Sequence, residues 1–186
     1  MNQWTFPTQI YAGPDSLNRL TEFSNESILI ICDPFLKDSP SLTYVMGLMD
    51  SKNKVTIYTD VVPDPPITHV VKGIEFMEGI KPTVIIAIGG GSCIDMSKGM
   101  AYFGRKLKHM DIKSFIAVPT TSGTGSEVTS FAVLTDSETQ IKYPLVDDAV
   151  LPDEALLTPL FVKTSPPSVT AFSGMDVLVH ALEAYV

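Results

Sequence analysis

Only two cysteines, Cys32 and Cys93, occur in 186 residues, and no Cys-rich spacing surrounds either. That scarcity argues against a disulfide framework and against a thiolate nucleophile. Both thiols are expected to be reduced and buried, as in a cytoplasmic protein. Positive charge is scarce as well: 13 Lys and Arg stand against 21 Asp and Glu, for a net charge of −8. Nucleic acid and an anionic membrane surface are therefore poor partners. A phosphate-bearing ligand is still possible, because backbone amides can hold it without net charge. Long apolar runs are missing. The longest, VIIAI at Val84–Ile88, is far short of the roughly 20 residues that span a bilayer. The opening MNQWTFPTQI has neither the basic nor the apolar region of a secretory signal. Repeats and low-complexity tracts are absent. What is present is a 45% apolar, 18% charged chain, long enough for one domain with a sizeable core.

Strand and helix signals alternate four times over the first 118 residues. TFPTQIYAG reads as a strand ending at Gly13, and PDSLNRLTEF as a short helix capped by Asp15 or Ser16. SILIIC, Ser27–Cys32, is a continuous apolar, β-branched run, the pattern of a strand buried on both faces. A helical DPFLKDSPSLTYVMGLMDS, interrupted at Pro40, leads to the strand KVTIYTD. The proline-rich VVPDPP opens the helical ITHVVKGIEFMEGI. TVIIAIGG is the strongest strand, followed by helical GSCIDMSKGMAYFG and the strand SFIAVP. This alternation predicts an α/β fold, a Rossmann-like parallel sheet with helices on both faces.

The pattern then changes. SFAVLTD and IKYPLVD flank the polar SETQ and predict a β-hairpin beside the sheet; DEALLT predicts one more strand. SPPSVTAFSGMDVLVHALEAYV is helical: Pro166 and Pro167 can open one helix, and Ser173 can cap a second. The expected division is an α/β domain over residues 1–160 and the first helices of an all-helical domain over 161–186.

Four stretches carry candidate chemistry. In IAIGGGSCID, three glycines separate a buried strand from a helix start. The amides of Gly91 and Ser92 would face a phosphate from the positive end of the helix dipole, with Gly90 allowing close approach. Asp95 is expected to fix this loop through its amides or the Ser92 hydroxyl. A plain tight turn is the competing reading, and the stretch is neither GxGxxG nor a Walker A motif. Asp33 follows the strand ILIIC. It can accept hydrogen bonds from an adenosine ribose and repel a 2′-phosphate, or it can cap a helix with Pro34 at the first position. VPTTSGTGSEVT gathers hydroxyls, among them Thr120, Thr121 and Thr124, around two glycines, as a ligand loop or an unusually polar surface loop. Finally, Asp176 and His180 lie one helical turn apart, the spacing of a metal-ligand pair or of an ordinary surface pair.

Taken in order, GGGSCID, VPTTSGTGSEVT and AFSGMDVLVHALEAY, with VVPDPP and the strand-end Asp33, resemble the signature stretches of the iron-containing (group III) alcohol dehydrogenases. The similarity is strongest to the 1-propanol and propanediol dehydrogenase group. It implies a metal-dependent enzyme that interconverts a small primary alcohol and its aldehyde with NAD(H), acting as a homodimer or larger assembly. Gly90, Gly91 and Ser92 match the pyrophosphate loop; Thr120, Thr121 and Thr124 match the loop against the nicotinamide half. Asp33 matches the ribose position linked to NAD preference, and Lys142 a lysine beside the cofactor cleft. Asp176 and His180 match the first two of four ligands to Fe²⁺ (or Zn²⁺), the other two being histidines of a later helical domain. The chain thus resembles the cofactor-binding half of such an enzyme, inactive alone. His69 and His109 fall in the wrong places to replace the missing ligands and are expected at the surface. Asp64 stands where many members have Asn, Thr158 where Asp-Pro is usual, and Ser173 where Thr is common. The competing readings are a non-catalytic nucleotide-binding or assembly module, and a relative resembling glycerol dehydrogenase or dehydroquinate synthase.

Overall fold

The computed structural model describes residues 7–186; the first part of the TFPTQIYAG expectation lies outside them. Six strands form one parallel sheet in the order β1-β8-β5-β4-β2-β3: β1 (Gln9–Ala12), β2 (Ser27–Cys32), β3 (Lys54–Tyr58), β4 (Val84–Gly89), β5 (Ser114–Pro119) and β8 (Glu154–Leu157). A separate antiparallel hairpin joins β6 (Phe131–Thr135) to β7 (Lys142–Val146). The helices are α1 (Pro40–Leu48), α2 (Ile67–Ile80), α3 (Gly91–Lys108), α4 (Pro159–Val162) and α5 (Pro167–Tyr185).

The continuous apolar runs divide their side chains between two cores, because successive strand residues face opposite sides. Leu29, Ile31, Ile85, Ala87, Phe115 and Ala117 pack under α2 and α3. Ile28, Ile30, Ile86, Ile88, Ile116 and Val118 pack on the other side with α1, the Ser16–Glu22 3-10 turn and Phe161. The predicted sheet, covered on both faces, is therefore present. Among the described residues, no helix is long and apolar enough to cross a membrane. Cys32 and Cys93 are both buried. Burial pushes the Cys32 thiol up to about 11 and that of Cys93 well above its ordinary value, so both stay protonated and unreactive at neutral pH.

Three local expectations fail. The first helical segment is a 3-10 turn, and Asp15 at its start makes no side-chain cap bond. Asp33 likewise makes no cap bond to the short 3-10 turn Pro34–Leu36. The last segment is one helix: Ser173 caps nothing and donates back to the Val169 carbonyl at 2.7 Å, inside continuous α5. A serine within a helix can satisfy its hydroxyl on the preceding turn, so it need not mark a start. Thr158 does cap, accepting from the Leu160 amide at 3.2 Å. A hydroxyl here caps as the aspartate implied by the resemblance would.

β2 leads outward to β3, whereas β4 leads the other way to β5. The crevice of such a sheet opens where the strand order reverses, outside the carboxyl ends of the strands. Here that is the gap between Asp33 and Gly90.

Candidate functional site

The three glycines of the β4–α3 turn differ in what surrounds them. A methyl group at Gly89 would sit 2.4 Å from Cys93 Cβ and 2.8 Å from Asp33 Oδ2. At Gly91 it would sit 2.9 Å from the Thr124 side chain. Packing alone thus requires both to be glycine. At Gly90 the nearest atom would be Thr121 Oγ1 at 3.6 Å, an ordinary contact. Its backbone, at φ −76° and ψ −174°, suits any residue. The protein therefore does not require glycine at Gly90, and the space there remains open. The first-turn amides of α3 beside it have no intrahelical partner.

Gly90 lines a cavity of about 400 Å³ with Asp33, Phe35, Thr121, Phe161 and Val169 among its walls. The Asp33 carboxylate reaches across the strand reversal toward the Gly90 amide, at 3.4 Å. Burial raises its pKa, and the Gly90 N–H partly offsets that rise. The apolar walls Phe35, Phe161 and Val169 were not singled out in the sequence. They come from three separate segments, and no local pattern joins them.

Asp95 does not fix its own loop. Its Oδ1 accepts from the Ser126 hydroxyl, and its Oδ2 from the Val133 amide at 3.0 Å. It ties α3 to the Thr-Gly loop and to the hairpin. The reason is packing: α3 lies against β6 and the Ser126 turn, which offer Asp95 two donors. Lys98, one turn on, does the same. Fully buried, it donates to the carbonyls of Thr129 and Phe131, each at 2.8 Å, and to Thr129 Oγ1 at 3.0 Å. Burial lowers its pKa to about 8, opposed by the charges of Asp95 and Glu127. Sequence reasoning missed Lys98. The available signal was its place on the apolar stripe of α3 with Ile94 and Ala101.

Thr120 is buried, its amide bonded to the Gly89 carbonyl at 3.0 Å and its carbonyl accepting from Ser165 at 3.2 Å. Thr121 faces Gly90 and Thr124 faces Gly91, so the two loops meet. Ser92 Oγ accepts from the Asp64 amide at 3.2 Å, and Lys142 pairs with Asp64 at 2.7 Å. Lys142 is thus brought beside the start of α3.

Asp176 and His180 share a face of α5, Oδ1 to Nε2 3.6 Å apart, and both are exposed. Asp176 lies against Gly123 of the Thr-Gly loop. Among the described residues, no group of three or more His, Cys, Asp or Glu side chains converges. One carboxylate and one imidazole suit iron or zinc as a partial donor set. His109 is exposed as expected, whereas His69 is half-buried and faces Asp60 at 3.6 Å.

The chain is 45% identical over its whole length to 1-propanol dehydrogenase PduQ of Citrobacter freundii and spans 50% of that protein. An iron-containing alcohol dehydrogenase from Thermococcus thioreducens superposes with a TM-score of 0.90 at 28% identity, over 99% of this chain and 54% of that one. Sulfoacetaldehyde reductase from Bifidobacterium kashiwanohense, solved in complex with NAD+, gives a TM-score of 0.84 at 29% identity, over 96% of this chain and 51% of that one. The chain thus spans about half the length of the curated relatives it matches. The family pattern for iron-containing alcohol dehydrogenases matches residues 7–159, most of the polypeptide, and the chain belongs to that family.

Proposed function

We propose that this chain is the dinucleotide-binding half of a metal-dependent alcohol dehydrogenase acting on a small primary alcohol or its aldehyde. The observation that carries this reading is the cavity joining Asp33, Gly90 and Thr121, with Gly90 free of side chain where packing does not demand it. The cavity's apolar walls suit a flat base, and Asp33 suits ribose hydroxyls. The amides at the start of α3 suit the pyrophosphate. Thr121 and Thr124, on the facing loop, lie beside Gly90 and Gly91, where a bound dinucleotide would continue toward its nicotinamide. Asp33 disfavours a 2′-phosphate, so NAD(H) is the expected cofactor.

Bound nicotinamide supplies hydride chemistry, and a divalent metal supplies Lewis-acid chemistry toward an alcohol oxygen. The residues of this chain orient and position. Asp176 and His180 are two ligands of that metal, iron or zinc; the rest of its shell belongs to the half of the relatives' length that this chain does not span. What supports a division near residue 160 is the change in burial, from the packed sheet to an α5 with no buried residue. Phe161 still packs into the core, so we draw the break at Pro166.

Titration of NADH and NADPH by fluorescence tests the reading. NADH is expected to bind more tightly, and Asp33→Gly to narrow the gap. Equal or tighter NADPH binding by the wild-type chain would remove Asp33 from this role. A chain that binds neither cofactor would overturn the reading.

A further inference from the structure

We propose that Asp64 restrains dinucleotide affinity by occupying the Lys142 ammonium, which it keeps paired beside α3, and so competing with the phosphates for it; the proposal rests on the dinucleotide-binding reading above. Asp64 lies in VVPDPP, between two prolines that limit the backbone on either side. Its φ of 49° puts it in the left-handed region, which Asp and Asn tolerate better than most residues. This geometry aims its amide at Ser92 Oγ, 3.2 Å away, and leaves its carboxylate to take Lys142 Nζ at 2.7 Å. Ser92 is the second residue of α3. The Lys142 charge is therefore two contacts from the free amides that would receive a pyrophosphate.

Both members of the pair are more than half exposed. Such a pair is weak and exchanges readily with solvent. The lysine's flexible four-carbon stem lets its ammonium swing from one anion to another. A phosphate at α3 thus competes with Asp64 for the same cation. Asparagine, nearly the same shape and tolerant of the left-handed region, would keep the turn and the amide bond to Ser92 while releasing Lys142. Asp64 is a positioning residue: it acts through Lys142 rather than by touching the cofactor.

The experiment is a four-corner NADH titration of wild type, Asp64→Asn, Lys142→Met and the double variant, at low and high salt. Asp64→Asn is expected to tighten binding about two- to fivefold at low ionic strength, an outcome that damage to the fold would not produce. The gain should shrink near ~0.5 M salt, where exposed charges are screened. It should vanish in the Lys142→Met background. Unchanged or weaker binding by Asp64→Asn overturns the proposal and leaves the dinucleotide reading standing. So does an equal gain with Lys142 removed, which would mean that Asp64 simply repels the cofactor. A wild type that binds no NADH removes both.

Discussion

Helices α3 and α5 are nearly equal in length, and each carries residues of the candidate site, yet the fold treats them differently. α3 is buried over most of its length, from Cys93 to Gly104, whereas α5 has no buried residue. Both are rich in apolar side chains. On α5, however, Met175, Val179 and Leu182 stand in solvent. Pattern and propensity suffice to make a helix, but packing supplies most of its stability and fixes its side chains. The proposed nucleotide end of the site is therefore positioned by contacts from several elements. The proposed metal end rests on one pair of residues a turn apart.

The largest test of this contrast is core truncation. Met100 is fully buried, its thioether lying where a side chain on Gly73 of α2 would have to go. Met100→Ala is expected to cost about 2–5 kcal/mol. Leu182→Ala, on the bare stripe of α5, should stay within about 0.5 kcal/mol. Urea unfolding with unchanged m-values would measure both. Similar losses for the two would mean that α5 is packed in solution.

Next comes the buried cation that fastens α3 to the hairpin. Lys98 has a pKa of about 8 in the fold and 10.5 when unperturbed. Between those values the unfolded chain holds the proton and the folded chain does not, so this group makes stability rise with pH across that window. The stability difference between wild type and Lys98→Met should therefore shift in favour of wild type by about 3 kcal/mol from pH 8 to pH 10.5. Cys32, held at about 11, and Tyr58, held at about 12 by burial, act in the opposite direction as pH rises. They are common to both proteins and cancel in the difference. A flat difference would show that burial does not depress the Lys98 pKa in the fold.

The same contrast explains how much could be read in advance. Strands such as SILIIC and VIIAI were legible because burial on both faces leaves an uninterrupted apolar run. The candidate site residues were legible where they sit at strand ends or in glycine-rich turns, as with Asp33 and Gly90. Ser173 misled because serine has the same chemistry inside a helix as at its cap. Asp95 misled because its partners, Ser126 and Val133, are distant in sequence. The place of Lys98 on the apolar stripe of α3 could signal its burial, but not its partners, because its three acceptors lie on Thr129 and Phe131, distant in sequence. Phe161 and Val169 line the cavity only because the sheet brings α4 and α5 to the end of β2.

A smaller effect separates packing from ligand binding within one turn. Gly89→Ala forces a methyl into Cys93 and should cost about 1–3 kcal/mol. Gly90→Ala meets no close atom, so its melting curve should match wild type within about 0.5 kcal/mol. Its NADH affinity should nevertheless fall about tenfold or more, because the new methyl would occupy the space a pyrophosphate needs. Unimpaired NADH binding by Gly90→Ala would move the phosphate away from this turn.

The smallest expected effect belongs to His180. Its imidazole and the Asp176 carboxylate are both exposed and 3.6 Å apart. An exposed pair of this kind contributes about 0–1 kcal/mol, so His180→Ala should leave the unfolding midpoint of the 186-residue chain unchanged. Metal should change little either. With one carboxylate and one imidazole, a divalent ion must complete its shell with water, and such a site selects poorly. Ligand stabilisation grows only as concentration exceeds the dissociation constant. Zn²⁺ at about 100 µM is then expected to shift the wild-type midpoint by no more than it shifts that of His180→Ala. Elemental analysis of protein purified without chelator supplies the decisive number. Substoichiometric metal, indifferent to His180→Ala, keeps the contrast between the helices. One iron or zinc per chain, lost in that variant, would mean that α5 finds further ligands in solution and is as well supported as α3.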